Sequence, residues 1–217
     1  MENAFSTAHF VYLLQGMVWT IALSLLAFVL GGLLGFCIML LRISRSPILR
    51  WLAFIYIQIV QGTPLLIILF GTYFGLSMLG IELPAIVAAA VSLMIYSSAF
   101  LGEIWRGSVE AVHKKQWEAA ECLALTRIQT MYRVIFPQAV RIAVPPTVGF
   151  MVQVVKGTSL ATVVGFIELT RAAQIINNSI YQPFLVFMVV GAMYFALCYP
   201  LSMWSKKLEA KFNVGRR

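Results

Sequence analysis

The sequence predicts an all-α integral membrane protein with five transmembrane helices and a polar helical segment at one membrane surface. Three observations carry that prediction. Of the 217 residues, 61% are hydrophobic and only 11% charged, far from the balance of a soluble domain. Several separate stretches of roughly 18 or more mostly apolar residues are each long enough to cross a hydrocarbon layer of about 30 Å. The basic residues sit between and after these stretches, which is how membrane orientation is encoded. That distribution also makes the net charge of +8 an orientation signal, and nucleic acid is not an expected partner. Cys37, Cys122 and Cys198 are widely spaced without a CxxC pair and read as small apolar residues. The acidic start "MENAF" and the length of the first apolar run argue for a retained span over a cleaved signal.

The first run extends from about Val11 to Leu41 and ends at the basic loop "RISRSPILR". Within it Gly31 and Gly35 are four apart on one helix face, a spacing that permits close approach, here read as packing inside the subunit and not as a dimer contact. The second run, about 49–79, is interrupted by "QIVQGTPLL". Pro64 lacks an intrahelical donor and Gly62 loosens the helix, so a kink or unwound turn is predicted. Such a break is tolerated only where protein or a wet cavity covers it. After the turn "GIELP", a third run covers about 85–104, and a polar connector continues to about Pro137. A fourth span follows "VPP" at 144–146, then a polar loop bearing Glu168, Arg171, Asn177 and Asn178, and a fifth run from Pro183 to near Trp204. Arg42, Arg45 and Arg50, then Lys114, Lys115, Arg127, Arg133 and Arg141, then Lys206, Lys207, Lys211, Arg216 and Arg217 fall on one side of such a five-span chain. The positive-inside rule makes that side cytoplasmic and leaves the amino terminus outside.

The connector, residues 113–137 within a single 1–217 domain, is predicted to form a two-helix elbow. Ala120, Leu123 and Ala124, continued by Ile128, Met131 and Ile135, recur at helical spacing and define its apolar side. Thr126 and Gln129 have the spacing of a capping box. One helix is therefore expected to end near Leu125 and a second to run from Arg127 to Pro137. The acidic early turns, with Glu118 and Glu121, favour a protein partner over membrane lipid as what the elbow meets.

The stretch "QWEAAECLALTRIQTMYRVIFPQAVR", with "QGTPLLIILF" and "VKGTSL", resembles the membrane permease subunits of ATP-binding-cassette importers of the polar amino acid uptake family, over nearly the entire chain. The resemblance implies a type I importer permease fold in the bacterial inner membrane. It also implies that the elbow is a coupling helix seated in a cytoplasmic ATPase dimer, with Glu118, Ala119 and Ala120 matching the "EAA" signature and Ala124 and Leu125 following it. A second permease subunit and an extracytoplasmic solute-binding protein would complete the importer, and a polar amino acid would be carried. Where the family usually has glycine this chain has Ala124, expected to stiffen the elbow as a better helix former. Where the family more often has asparagine and aspartate it has Gly149 and Gly157. The loss of that carboxylate tips the expectation slightly toward a non-identical second permease subunit, or toward a substrate site built elsewhere.

Within the spans, Lys156 is the costliest residue, on the order of 3 kcal/mol at membrane depth without water or a partner. A cavity or subunit interface and a structural ion pair or cap are both open for it. Thr158 and Ser159 either share its face or bond within the bundle. Gln58 and Gln61 either contact a polar substrate or satisfy backbone freed at the break. Glu103 with Arg106, and Glu168 with Arg171, have the spacing of local ion pairs; for the latter, contact with an external binding protein is the alternative. His9 and His113 are isolated, so no metal is expected. With no GxxxxGK[ST] loop, this chain is expected to bind no cofactor and to be no enzyme, ATP and magnesium belonging to the partner ATPase. The rival function is an ion-coupled carrier or a membrane scaffold without an ATPase. An absence of aspartate and of an internal repeat speaks against it.

Overall fold

The computed structural model describes residues 5–213. All regular structure among them is helical: α1 Thr7–Arg42, α2 Pro47–Gly62, α3 Leu65–Met78, α4 Ala85–Glu110, α5 Lys114–Cys122, α6 Arg127–Val164, α7 Leu169–Ile180 and α8 Pro183–Asn213. Four of them, α1, α4, α6 and α8, are long and apolar enough to cross a membrane, and α2 with α3 passes the same test as a pair bent by 103°.

Contacts settle how often the chain crosses. Gly31 of α1 lies against Ser97 of α4, Gly35 against Ser98 and Gly102, and Arg42 approaches Glu103. Residue numbers rise together along this seam, so α1 and α4 are parallel and finish at the same end of the bundle. The bent pair α2–α3 begins where α1 finishes and delivers the chain to where α4 begins, which makes it one broken crossing. Helix α6 runs back: its start shares a buried cluster with Met39 and Val109, and Phe150 and Val154 share another with Leu23 and Leu93. Helix α8 returns once more, with Tyr194 bonded to Thr170 at 3.0 Å and Ser205 to the Pro145 carbonyl at 2.8 Å. The five expected crossings follow.

At the break after α2, the Thr63 amide reaches Val60 O while its own hydroxyl donates to Ile59 O at 2.7 Å. Freed backbone is thereby satisfied locally, by the threonine and not by either glutamine.

Helix α6 departs from expectation. The chain stays helical from Arg127 to Val164, so Pro137 closes nothing and "VPP" is not a boundary. Just before Pro137 the helix widens, the Phe136 amide reaching Met131 O five residues back, which relaxes the crowding a proline ring imposes on the preceding turn. The Gln138 side-chain amide then donates to Val134 O at 2.8 Å. At Pro145 it is Ser205 of α8 that bonds the carbonyl, and Gly149 leaves room for it, since a Cβ there would lie 3.2 Å from the Ser205 hydroxyl. Side-chain donors from Gln138 and Ser205 thus bond carbonyls within the proline-rich stretch, and the helix continues through it.

At the opposite end, Glu168 is wholly buried. Its carboxylate caps α7 by accepting from the Thr170 and Arg171 amides at 2.9 and 2.8 Å, and it accepts from Tyr194 of α8 at 2.7 Å and Thr20 of α1 at 3.4 Å. Thr20 in turn accepts from the Leu169 amide. One acidic side chain ties three helices, and being buried it presents no surface to an external protein. The expected pair with Arg171 does not form, Arg171 donating instead to Gln174 at 3.1 Å. The other expected pair is present: Arg106 Nε donates to Glu103 at 2.8 Å, and the network extends to Arg42 and Glu110.

The seam yields a contrast between two glycines. A Cβ at Gly35 would stand 2.9 Å from Ser98 O, whereas one at Gly71 would meet nothing within 4 Å. Gly35→Leu is expected to cost about 1–3 kcal/mol through overpacking, seen as a lower thermal midpoint in detergent, with Gly71→Ala unchanged within error.

Candidate functional site

The elbow projects from the end of the bundle where α1 and α4 finish. His113 starts α5, its ring nitrogen accepting from the Lys115 amide at 3.2 Å. The inner side of α5 is fixed by Ala120, 2% exposed, and by Trp117, which packs on the cluster of Met39, Val109, Val112 and Ile135. Gln116 is bonded to Gln138 of α6 at 3.4 Å.

The helix ends at Cys122, three residues earlier than its periodicity suggests, in a turn built around Ala124. The Leu125 amide donates to Ala120 O at 3.1 Å and the Ala124 amide to Glu121 O at 2.9 Å. These paired bonds close a helix whose next residue is left-handed, and Ala124 has φ +51°. The stiffening expected of alanine is therefore corrected: Ala124 lies outside the helix, in a conformation where its Cβ costs about 1–2 kcal/mol. This explains physically why glycine suits the position better. The next helix starts as predicted, the Thr126 amide donating to Gln129 Oε1 at 2.9 Å and the Gln129 amide to Thr126 Oγ1 at 3.4 Å. Arg127 then donates to Ile43 O at 3.0 Å, joining the start of α6 to the end of α1.

The early helix end also turns the apolar side. Leu123, Ile128 and Tyr132 are 74, 82 and 76% exposed, so Leu123 and Ile128, placed above with Ala120 and Ile135 on one apolar side, point outward while those two are buried, and Ala124 too is exposed. On the same elbow Glu118, Ala119 and Glu121 are exposed too, while Leu125 is half-buried. The elbow thus presents an outward patch of large apolar side chains together with carboxylates. An exposed patch of this kind, on a segment stapled to the bundle at both ends, is suited to meeting another protein. Tyr132 is the member sequence reasoning passed over. Its signal is position i+4 from Ile128, which places both on one face.

The five polar residues of the spans divide by exposure. Gln58 and Lys156 are exposed on their helices. Gln61 donates to Ala99 O at 3.4 Å, Ser159 to Lys156 O at 2.7 Å, and Thr158, fully buried, to Val155 O at 2.7 Å. No hydrogen bond or ion pair joins the Gln58–Gln61 group to the Lys156–Ser159 group among the described residues. Gly157 is wedged so tightly that a Cβ would fall 3.0 Å from Leu65 Cδ2 and 3.3 Å from Leu93 Cδ2. The space around it is a crevice lined by Leu65, Leu69, Leu93, Leu160 and Ala161, into which a carboxylate would not go without displacing leucines.

Residues 27–214 match the family described as "Binding-protein-dependent transport system inner membrane component". The chain is 36% identical over 203 residues to the probable amino-acid ABC transporter permease protein YckA of Bacillus subtilis, covering 94% of this chain and 90% of the relative. It is 35% identical to the probable glutamine ABC transporter permease protein GlnP of the same organism, over 96 and 97% of the two chains. Among solved structures, a chain of an amino acid ABC transporter crystallised with histidines superimposes with a TM-score of 0.89 at 32% identity, over 96% of this chain and 99% of that one. The inward-facing MetNI methionine ABC transporter shares the fold, with a TM-score of 0.79 at 19% identity over 96 and 99%.

The turn at Ala124 makes a local prediction. Ala124→Gly relieves the left-handed alanine, and the Leu125 amide is expected to exchange with solvent about fivefold more slowly. Ala124→Val, with its branched Cβ, is expected to speed that exchange.

Proposed function

Because this chain belongs to the family of inner-membrane components of binding-protein-dependent transport systems, we propose how it divides labour with its partners. The chain is the membrane-spanning permease subunit of an ABC importer of amino acids, and it couples to a separate ATPase. It performs no hydrolysis itself, and the ion-coupled carrier and the scaffold are set aside. Its partners are the ATPase dimer, a second permease subunit and a solute-binding protein. ATP and magnesium belong to the ATPase.

The observation that carries the mechanism is the outward patch of the elbow. Glu118, Ala119, Leu123 and Ile128 dock in the ATPase, Ala120 anchors the helix to the bundle, and the turn at Ala124 and Leu125 fixes the angle between the two arms. Because Arg127 bonds the end of α1 and Gln116 bonds Gln138 of α6, a pull on the patch is delivered to two spans at once. The ATPase cycle reorients the bundle through these two attachments.

The basic residues at the elbow end support a cytoplasmic position for it, an external amino terminus and a cytoplasmic carboxyl terminus. For the path, Lys156 and Gln58 offer exposed polar groups at membrane depth, where exposure to lipid alone would be costly. They face the second permease subunit across the translocation path, with Gln61 and Ser159 beside them and Thr158 buried behind. The apolar crevice at Gly157 supports a second subunit that is not identical and that supplies the missing polar group. A polar amino acid is the cargo.

Two experiments test this reading. Glu118→Lys reverses the charge bordering the patch and is expected to remove the ATPase from transporter purified through this chain, while the permease pair stays intact. Retention of the ATPase at wild-type stoichiometry contradicts the docking role. For orientation, Cys122 is exposed on the elbow, so a membrane-impermeant maleimide is expected to modify it in opened vesicles and not in intact cells.

A further inference from the structure

Two neighbouring cavities lie beside the elbow. One, about 520 Å³, lies in the groove between α1, α4 and α6 and is lined by apolar side chains including Phe36, Met39, Val140 and Val144. Its one indole N–H, that of Trp105, is spent on Thr147 at 2.9 Å. The other, about 660 Å³, opens at the end of the bundle and is lined by Ser44, Arg45, Thr126, Arg127 and Tyr132 among others. Phe136 borders both, so the two are neighbours and together make one candidate channel, apolar along the span and cationic at its mouth. Arg45 and Arg127 have no carboxylate within ion-pair distance among the described residues. Glu121 borders a third cavity on their other side without pairing with either.

We propose that this channel holds one anionic phospholipid of the surrounding membrane, an acyl chain along Phe36, Val140 and Val144 and the phosphate between Arg45 and Arg127. Charge complementarity selects the occupant. A zwitterionic lipid fills the apolar part equally well but brings no net charge to two unpaired guanidinium groups at the membrane surface, where each basic residue favours an anionic headgroup. Ser44, Thr126 and Tyr132 add hydroxyl donors to the phosphate. The position matters because Arg127 already bonds Ile43 O. A phosphate there braces the joint between α1 and α6 through which the elbow acts, so the lipid would stiffen the coupling joint.

The test uses the complete transporter in mild detergent, equilibrated with equal amounts of phosphatidylglycerol and phosphatidylethanolamine and read by native mass spectrometry. Wild type is expected to retain one phosphatidylglycerol per copy of this chain in roughly tenfold preference. Arg45→Gln with Arg127→Gln should abolish the preference while leaving the assembly intact. Val140→Trp, which fills the apolar groove from an exposed position, should reduce retention of both lipids. Glycerol phosphate, offered alone, should not compete. Equal retention of the two lipids, adducts unchanged in the double variant, or competition by glycerol phosphate would each overturn the proposal.

Discussion

Everything in this molecule is fitted around the seam between two parallel helices. Gly31 and Gly35 of α1 let that helix sink onto Ser97, Ser98 and Gly102 of α4 until backbone meets backbone. In a lipid environment apolar side chains gain little by leaving one another for the tails, so association rests on such close approach. The consequences are topological. Two parallel helices require an odd number of crossings between them, which forces α2 and α3 to act as one broken span. Both helices must also finish at the same end, and the elbow is hung there, between the end of α4 and the start of α6.

The second constraint is that polar groups inside a membrane need partners within the protein. Each irregularity meets it in its own way: Thr63 covers the carbonyl freed at the break, Gln138 and Ser205 cover carbonyls of the proline-rich helix. Glu168 shows the same rule at its most demanding. A buried carboxylate is tolerable only when its lone pairs are filled, and two amides and two hydroxyls fill them from three helices. Where the constraint lapses, beyond the membrane, the chain turns polar and projects a surface. Lys156 is the exception within the spans, a charge left exposed at depth.

Much of this could be read from the residues. The number of crossings, the break at Gly62 and Pro64, the capping box at Thr126, the Glu103–Arg106 pair and the intrasubunit role of Gly31 and Gly35 all follow from periodicity, spacing and local chemistry. What could not be read depended on partners distant in sequence. Pro137, Pro145 and Pro146 signal helix ends when only their neighbours are considered, whereas the helix runs through all three and the hydroxyl that bonds the Pro145 carbonyl comes from Ser205 on α8. Glu168 sits three residues from Arg171, yet its better partners, Thr20 and Tyr194, are far away along the chain. The elbow failed for a subtler reason. Alanine favours helix, so nothing at Ala124 announced a left-handed turn, and carrying the helix on to Leu125 put Leu123 and Ile128 on one apolar side with Ala120 and Ile135, which the structure separates. Periodicity says that a face exists; it does not say what covers it.

The central claim is that the outward patch of the elbow is where the ATPase sits, and nature has left a probe in it. Cys122 is exposed at the end of α5, beside Leu123. The most direct measurement is the rate at which a maleimide modifies Cys122 in the permease pair alone and in the assembled transporter. Docking on the patch predicts slowing by on the order of tenfold or more when the ATPase is bound, with recovery on its removal. An unchanged rate in a complex that demonstrably retains its ATPase would place the contact elsewhere and contradict the account.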